Sequence, residues 1–298
     1  IQQGNETQQL LDFSRTLVRN NTDLDRLTQS ELKWLIKQKK IPEALATIES
    51  YLTKFPKAQN KDKLRLSICE ALIIKEDFKQ AMKIFQLIDK TKLSSGLWRN
   101  RAHFTEATLL QNSGQQKEAA ALFLRVGQTA KDKELSINSL FKAAELFSQI
   151  ENHKSAVLAY TLLISKPRHL YTDKSYSELY RALEKQLKYK DALSIINDFI
   201  IKGEDPTLKE NALYDKGHIL LKSGDLQNAI KTFQDFAVIY PKKSRSAALL
   251  FEVYNIQKRK LKDFKKATTT LDTIIAKAKD TAPDTYSLAL HHRALLYQ

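Results

Sequence analysis

Six histidines are the side chains of this 298-residue chain best suited to bind a metal ion or to move protons. His291 and His292 are neighbours, so on a helix their side chains point about 100° apart and cannot hold one ion together. The other four are dispersed along the sequence: His103, His153, His169 and His218. The sequence also contains no glycine-rich phosphate loop and no nucleophile motif. It therefore predicts no metal site, no cofactor and no enzymatic activity.

The densest group of charged residues lies between residues 258 and 266, and we call it the basic turn. Its cations are Lys258, Arg259, Lys260, Lys262, Lys265 and Lys266. Two interpretations remain open. The cations either stabilise the end of the preceding helix in a solvated turn, or they bind an acidic protein, a nucleic acid or anionic lipid. Phe264 is the only aromatic residue among them, so base stacking, and with it nucleic-acid binding, is not favoured.

The formal net charge of +15 is spread along the chain rather than collected in a tail. A diffuse positive charge favours acidic partners only weakly and is a poor argument for nucleic acid by itself. No stretch of the sequence approaches the ~18 apolar residues of a membrane-spanning helix, so we expect no membrane span. The sequence begins with Ile1 rather than methionine. We expect that any targeting signal has been removed from it.

The elements that carry these side chains follow from a repeat in the sequence. Alanines recur at intervals of 36 to 38 residues: Ala44, Ala81, Ala119, Ala156, Ala192, Ala229 and Ala267. Each is followed four and seven positions later by a larger apolar residue, as Ala229 is by Phe233 and Phe236. Residues at this spacing share one face of a helix. The period therefore predicts stacked pairs of antiparallel helices, in which the alanine lets two helices approach closely.

The ends of the second helix of each pair are also marked in the sequence. Good N-cap residues stand four positions before several of the alanines, at Asp77, Asn152, Asp225 and Asp263. Pro42 stands near the start of the first of these helices, where its missing N–H does no harm. Prolines also stand where helices are expected to end, at Pro56, Pro167, Pro206 and Pro241.

The sixth repeat resembles a tetratricopeptide repeat. Its matching residues are the small Gly217, the turn residue Gly224, Ala229, Phe233, Phe236 and the closing Pro241. The third and fourth repeats match nearly as well, and the resemblance covers residues 25–298. It implies an all-α, right-handed superhelical solenoid of about seven antiparallel helix pairs and a terminal helix. Residues 1–24 are then a polar segment or a capping helix.

The resemblance also implies the function of a protein–protein interaction scaffold or adaptor. The concave face of such a solenoid is lined by the first helix of each pair and is the usual ligand surface. The residues that the resemblance places there are Arg101, Gln111, Asn112, Asn138, Lys174, Ser177, Arg181, Lys185, Asn211, Tyr214, His218 and Lys222. This polar, mildly basic set suits an extended peptide with acidic groups. The carboxylate clamp of some family members is not expected, because Phe104, Thr108, Phe141 and Glu145 stand at its positions.

Two questions of context stay open. The tail HHRALLYQ resembles the first helix of an eighth repeat, with Ala294 and Tyr297 in phase. That helix either continues into further repeats or caps the stack with one face exposed, where it could mediate self-association. The phrase that ends at Tyr240-Pro241 is similar to repeats in bacterial cell-envelope assembly proteins, which implies a periplasmic or envelope-associated protein, with a cytoplasmic location as the alternative. A nucleic-acid or anionic-surface binding module that uses the basic turn is the alternative function.

Overall fold

The computed structural model describes residues 20–38, 40–55, 60–93 and 96–295. It divides into two compact units, Ile1–Glu151 and Asn152–Gln298, and we describe each unit by itself. All regular secondary structure in the described ranges is helical, and these ranges contain no strand. The predicted all-α class and the TPR-like solenoid of helix pairs are thus confirmed.

Unit one is a series of helices in which each packs against the next along the chain. Its helices are α1 (Asn21–Lys37), α2 (Ile41–Lys54), α3 (Lys61–Ile74), α4 (Phe78–Phe85), α5 (Gly96–Asn112), α6 (Gln116–Thr129) and α7 (Lys133–Gln149). A short 3₁₀ helix, Lys90–Lys92, precedes α5. The first helices of successive pairs also touch, α1 with α3 and α3 with α5.

Unit two has the same organisation. Its helices are α8 (His153–Ile164), α9 (Thr172–Lys185), α10 (Tyr189–Lys202), α11 (Pro206–Lys222), α12 (Leu226–Ile239), α13 (Ser244–Asn255), α14 (Phe264–Lys277) and α15 (Pro283–Leu295). A π-helical segment, Ile256–Lys260, continues α13. The first helices here are α9, α11, α13 and α15, and we call the surface that they form the first-helix face of unit two. The corresponding surface of α1, α3 and α5 is the first-helix face of unit one.

The repeated alanines are the points of closest packing. All seven are fully buried, and so are the bulky residues four positions after several of them, such as Phe123 and Phe233. Gly217 on α11 faces Phe233, because a Cβ added at this glycine would stand 2.2 Å from the Cε1 atom of the ring. The sixth repeat therefore needs a glycine at this position for the helices to pack.

The predicted N-caps form as expected. The side chains of Asp77, Asn152, Asp225 and Asp263 each accept a hydrogen bond from the backbone N–H three residues later. Each bond satisfies an N–H of the first turn, which has no partner within its own helix. Pro42 lies in the first turn of α2, as predicted.

Three helix ends differ from the sequence-based expectation. Pro206 begins α11 instead of ending α10, because a proline at the first helical position lacks only an N–H that would have no partner. Helix α1 begins at Asn21, inside the segment predicted to precede the repeats, and is capped by Asn20. On α15 the buried small residue is Ala289, whereas Ala294 is exposed. Residues 1–19 and the predicted contact of Tyr297 lie outside the described residues.

Candidate functional site

Polar side chains link each first helix of unit two to the next first helix. The Lys222 ammonium on α11 donates a hydrogen bond of 2.6 Å to Glu184 on α9. About two turns earlier on α11, Asp215 accepts a hydrogen bond of 2.8 Å from the Tyr180 hydroxyl, and Arg181 lies 3.4 Å from the same carboxylate oxygen. We call this series of links the polar ladder.

The polar ladder continues toward the end of unit two. Arg245 donates a hydrogen bond of 3.0 Å to Asn211 Oδ1, and the Tyr254 hydroxyl lies 3.2 Å from His292 Nδ1. Each link of the polar ladder joins two residues that are 34 to 38 positions apart in the sequence. That separation is one repeat, so each link joins similar heights on neighbouring first helices.

The polar ladder fixes the charge state of the groups in it. The hydrogen bond and the charge of Glu184 raise the pKa of Lys222 above its usual range. Burial, followed by the charge of Asp215, raises the pKa of Tyr180, so the phenol stays protonated and keeps donating its hydrogen bond. Arg181 and Lys222, which the sequence predicts as ligand-binding cations, are therefore already engaged by carboxylates of the same unit.

His218 lies in an aromatic cluster on the same face. Its ring centroid is 4.5 Å from that of Tyr214 and 5.1 Å from that of Phe233. Its Nε2 atom is buried and has no hydrogen-bond partner among the described residues. Burial lowers the pKa of His218 below its ordinary value, so the imidazole is neutral near pH 7. A neutral ring between aromatic rings acts as a packing group. Arg245 covers Tyr214, and its guanidinium carbon lies 5.3 Å from the Tyr214 ring centroid.

The remaining predicted residues of unit two are spread between buried and exposed positions. Ser177 is buried, whereas Lys174 and Lys185 are exposed. Ser177 also lines a notch of about 690 Å³ in which Arg168 is 3.0 Å from Asp173. On the first-helix face of unit two, Arg181 is thus paired with Asp215 and Lys222 with Glu184, so these two cations are not available as a continuous binding surface.

The predicted residues of unit one are Arg101, Gln111, Asn112 and Asn138. Arg101 makes an ion pair with Glu70 of α3, with 3.0 Å between Nε and Oε1, and its guanidinium carbon stands 4.3 Å from the Trp98 ring centroid. Asn112 donates to the carbonyl of Thr108 in its own helix. Gln111 and Asn138 are half-buried. Of the four, Arg101 borders an open groove.

This groove lies on the first-helix face of unit one and was missed by the sequence analysis. It encloses about 430 Å³ and is lined mainly by apolar side chains, and we call it the Trp98 groove: Leu32, Ile36, Lys63, Leu64, Ser67, Glu70, Ala71, Ile74, Leu97, Trp98 and Arg101. Ile74 and Leu97 are exposed although they are large and apolar. The Trp98 ring is half-buried between two cations, Arg101 and Lys63, whose Nζ is 5.7 Å from the centroid.

A signal for the Trp98 groove was present in the sequence. Trp98 and Arg101 are three positions apart and therefore share a face of α5. Trp98 is one of two tryptophans in the chain, and both lie on first helices, at α1 and α5. A tryptophan beside an arginine is a common combination at binding surfaces. The residues predicted for the concave face are almost all polar, and they include Arg101 without Trp98.

The basic turn spans the π-helical segment, the following turn and the start of α14. Lys266 forms an ion pair of 3.1 Å with Asp263, and the Lys258 ammonium stands 5.6 Å from the Tyr254 ring centroid. The other cations of the basic turn are exposed, and so is Phe264. The turn is thus a solvated cluster of positive charge around an exposed aromatic ring.

Neither a metal centre nor a membrane span is found in the part of the chain that the structure describes. There, no three residues of the types His, Cys, Asp and Glu come together as a metal ion would require. No described helix is long and apolar enough to cross a bilayer.

These helix pairs define a helical repeat protein, and a known family matches one part of it. The tetratricopeptide repeat family matches residues 211–243, which comprise most of α11, all of α12 and the turns at its ends. The sequence-based resemblance to tetratricopeptide repeats is thereby confirmed. No curated protein sequence is similar enough to this chain to count as a relative.

Solved structures with similar folds include other repeat proteins. The C-terminal part of a TPR repeat-containing protein from Cytophaga hutchinsonii has a TM-score of 0.52 at 14% identity, covering 88% of this chain and 98% of that one. Naa15/Naa10 bound to HypK-THB gives a TM-score of 0.51 at 14% identity, covering 88% of this chain and 43% of that one. YrrB, described as a TPR protein with an unusual peptide-binding site, gives 0.43 at 19% identity, covering 65% and 91%. At these identities the similarity concerns the fold.

Proposed function

We propose that the chain is a protein-interaction scaffold that binds a segment of a partner protein in the Trp98 groove. One observation carries the proposal: exposed apolar residues and a half-buried tryptophan line an open groove on the first-helix face of unit one. Apolar clefts with a few oriented polar groups are the usual form of a ligand site. The confirmed TPR fold supports the proposal, because repeat proteins present extended surfaces of this kind to partners.

The chemistry of the groove indicates the chemistry of the partner. Trp98 and Leu97 favour a partner segment with a large apolar side chain as its anchor. Lys63 and Arg101 stand at the Trp98 ring, and Glu70 neutralises Arg101 only. A carboxylate next to the anchor would complement the remaining positive charge, so the partner segment is apolar with a neighbouring acidic residue. Micromolar affinity, about −8 kcal/mol, is the expected range for such a segment.

In unit two we propose that fewer residues contact the partner than the sequence predicted. The cations Arg181 and Lys222 are engaged in the polar ladder, so a ligand there would have to displace a carboxylate. Lys185 is a further exposed cation of the set, and a secondary contact with an extended acidic partner is open to it. We place the main energy of binding in unit one.

Tryptophan fluorescence tests the proposal directly. Peptides are selected from a phage-displayed random library, and a selected peptide is titrated into a Trp34→Phe variant, in which Trp98 is the remaining tryptophan. We expect its emission to shift on binding, because the peptide excludes water from the ring. The matched control is Trp98→Phe, which keeps Trp34 outside the groove and should show little shift.

A Trp98→Ala variant measures the contribution of the anchor. Loss of a central aromatic contact typically weakens binding by 2 kcal/mol or more, which is about thirtyfold. An Arg181→Glu/Lys185→Glu variant should bind the same peptide nearly unchanged. The proposal fails if Trp98→Ala binds as the native chain does while the unit-two variant loses binding.

Self-association through α15 is a second proposal. It is supported by two exposed leucines that are seven positions apart and therefore share a face of this helix, Leu288 and Leu295. Sedimentation velocity between micromolar and hundred-micromolar concentration should reveal a dimer that a Leu288→Ser/Leu295→Ser variant does not form. A native chain that stays monomeric throughout this range would exclude the proposal.

A further inference from the structure

We propose that one edge of unit two binds the surface of an anionic phospholipid bilayer. The edge consists of the turns within the helix pairs, at residues 185–190, 222–225 and 258–266, and we call it the hairpin edge. The inference goes beyond peptide binding, because these turns belong to unit two, whereas the Trp98 groove belongs to unit one. The basic turn, which takes no part in the proposed peptide binding, would be part of this lipid-binding surface.

The three turns share an edge because successive helices are antiparallel neighbours. Each chain segment runs up one first helix and down the second, so every turn within a pair returns at the same end of the stack. Side-chain contacts agree with this arrangement. Lys222 and Glu184 pair at the C-terminal ends of α11 and α9. The pKa of His292 on α15 is lowered, mainly by burial and next by the charge of Lys258, so the end of α13 lies near His292.

The hairpin edge is strongly basic. Outside the basic turn its cations are Lys185, Lys188, Lys190 and Lys222. The carboxylates in the three turns or directly next to them are Glu184, Asp191, Asp225 and Asp263. Most of these carboxylates are occupied: Asp225 and Asp263 cap helices, and Glu184 pairs with Lys222. Exposed cations without a neighbouring carboxylate attract anionic lipid headgroups, and each adds to the affinity for the surface.

The opposite edge of unit two, formed by the turns between helix pairs, shows a different arrangement. Arg168 bonds Asp173 and Glu204, at 3.0 Å and 2.8 Å. Lys243 pairs with Glu210 at 3.1 Å. Arg168 and Lys243 are thus neutralised within the protein, whereas Lys242 and Lys279 on the same edge are exposed. The hairpin edge differs in degree, because its three turns hold ten cations and two carboxylates.

Leu187 is the second observation that points to a ligand. It is 71% exposed at the tip of the turn between α9 and α10, and its φ is 58°. The same place in the next hairpin is held by Gly224, at φ 86°. A left-handed backbone favours glycine and is uncommon for a bulky residue. The same left-handed position recurs in the other described hairpins, where glycine or a charged residue holds it: Glu76, Gly114, Glu151, Gly224 and Lys262. Leu187 therefore stands out by its large apolar side chain, which projects from the turn instead of packing in the core.

Phe264 supplies a second apolar group on the hairpin edge. It is 55% exposed and stands between Lys262 and Lys265 in the sequence. Apolar side chains that project from a basic surface can insert at the boundary between headgroups and acyl chains, while the lysines remain with the phosphates. A nucleic acid would be served less well, because Leu187 has no aromatic face on which a base can stack.

Vesicle sedimentation tests the proposal with the full chain. We expect binding to vesicles of phosphatidylcholine with 30% phosphatidylglycerol, and little binding to pure phosphatidylcholine. The binding should weaken as salt is raised, because counterions screen exposed charges. A single-stranded oligonucleotide is titrated in parallel, and binding to it without binding to anionic vesicles would overturn the proposal in favour of a nucleic-acid ligand.

Matched charge reversals identify the edge. Lys190→Glu/Lys265→Glu alters the second residue of α10 and of α14, where a carboxylate favours the helix N-terminus and folding is preserved. This variant should lose about tenfold or more of its vesicle affinity. The control, Lys242→Glu/Lys279→Glu, makes the same change of charge at exposed positions on the opposite edge and should lose much less. If the two variants lose the same vesicle affinity, the binding depends on the net charge of the protein and not on the hairpin edge, and the proposed site is wrong.

Leu187→Gly separates a binding role from a structural role. Glycine relieves the left-handed backbone, so the melting temperature should stay or rise. Vesicle affinity should nevertheless fall several-fold, because the apolar tip is gone. Leu170→Gly, at an 89% exposed leucine on the opposite edge, is the control and should bind as the native chain does. Unchanged vesicle binding by Leu187→Gly would contradict insertion of this residue.

Discussion

The first-helix faces of the two units are built from the same repeat but leave different groups available to a partner. In unit one, Trp98, Ile74 and Leu97 surround an open apolar groove of about 430 Å³. In unit two, Glu184, Asp215 and the other members of the polar ladder engage the cations of the neighbouring helix. Contacts between residues one repeat apart thus determine which side chains of a repeat protein are available to a partner. The residue type alone does not determine this availability.

Removal of a repeated bulky residue should have the largest effect and should test whether the two units behave independently. Phe233→Ala in unit two and Phe123→Ala in unit one both remove a fully buried ring. Each change should cost about 3–5 kcal/mol of unfolding free energy, measured by urea denaturation. Since contacts in a repeat array are local, hydrogen exchange should accelerate mainly in the unit that carries the substitution. Equal acceleration in both units would contradict this separation.

Glycine replacement should distinguish close packing from open space. Gly217→Ala in unit two places a methyl group against the Phe233 ring and should cost about 1–3 kcal/mol. Gly96→Ala in unit one meets no atom within 4 Å and lies at the start of α5, so it should be neutral or slightly stabilising. Thermal unfolding of the two variants measures the difference. A neutral Gly217→Ala would mean that α11 and α12 can move apart without loss.

A double-mutant cycle should measure one link of the polar ladder. Lys222 is more than half exposed and Glu184 is partly exposed. Their coupling should therefore be about 0.2–1 kcal/mol, found from the unfolding free energies of Lys222→Gln, Glu184→Gln and the double variant. The contribution should shrink in high salt. A coupling that does not depend on salt would show that the pair is better shielded than its exposure indicates.

The smallest expected effect is a pH dependence at His218. Burial lowers its pKa below the ordinary 6.5. Above that value the imidazole is neutral in the folded and the unfolded chain, whereas below it the unfolded chain takes up the proton first. Stability should therefore fall as the pH drops below about 6.5. His218→Phe should make the loss between pH 7.5 and 5.5 smaller, which urea denaturation at the two pH values measures. An unchanged loss would assign the effect to His103 and His292, whose pKa values burial also lowers.

The sequence predicted the local structure well because each local feature has a local cause. A cap such as Asp225 needs only the N–H groups of the next turn. A buried alanine such as Ala229 needs only a neighbouring helix, which the period of the repeat supplies. Pro206 was one exception, because a proline between two helices can end one or begin the next, and the sequence does not distinguish these cases.

The candidate site was less predictable, because availability depends on contacts across repeats. Arg181 and Arg101 have the same side chain and were predicted to have the same role. Asp215 and Glu178 engage the first. Glu70 engages the second, which also stacks on Trp98 at the rim of the groove. Leu187 showed no signal in the sequence, because its exposure and its left-handed backbone follow from the position of the turn.

By itself the sequence determined an all-helical chain of paired helices, the phase of its repeats and the caps at its helix starts, because each depends on residues within one or two turns. Only the tertiary structure decided which polar groups pair across repeats, where the Trp98 groove opens and which edge carries the larger excess of exposed cations. Those properties depend on side chains 31 to 38 residues apart that meet only when the helices stack.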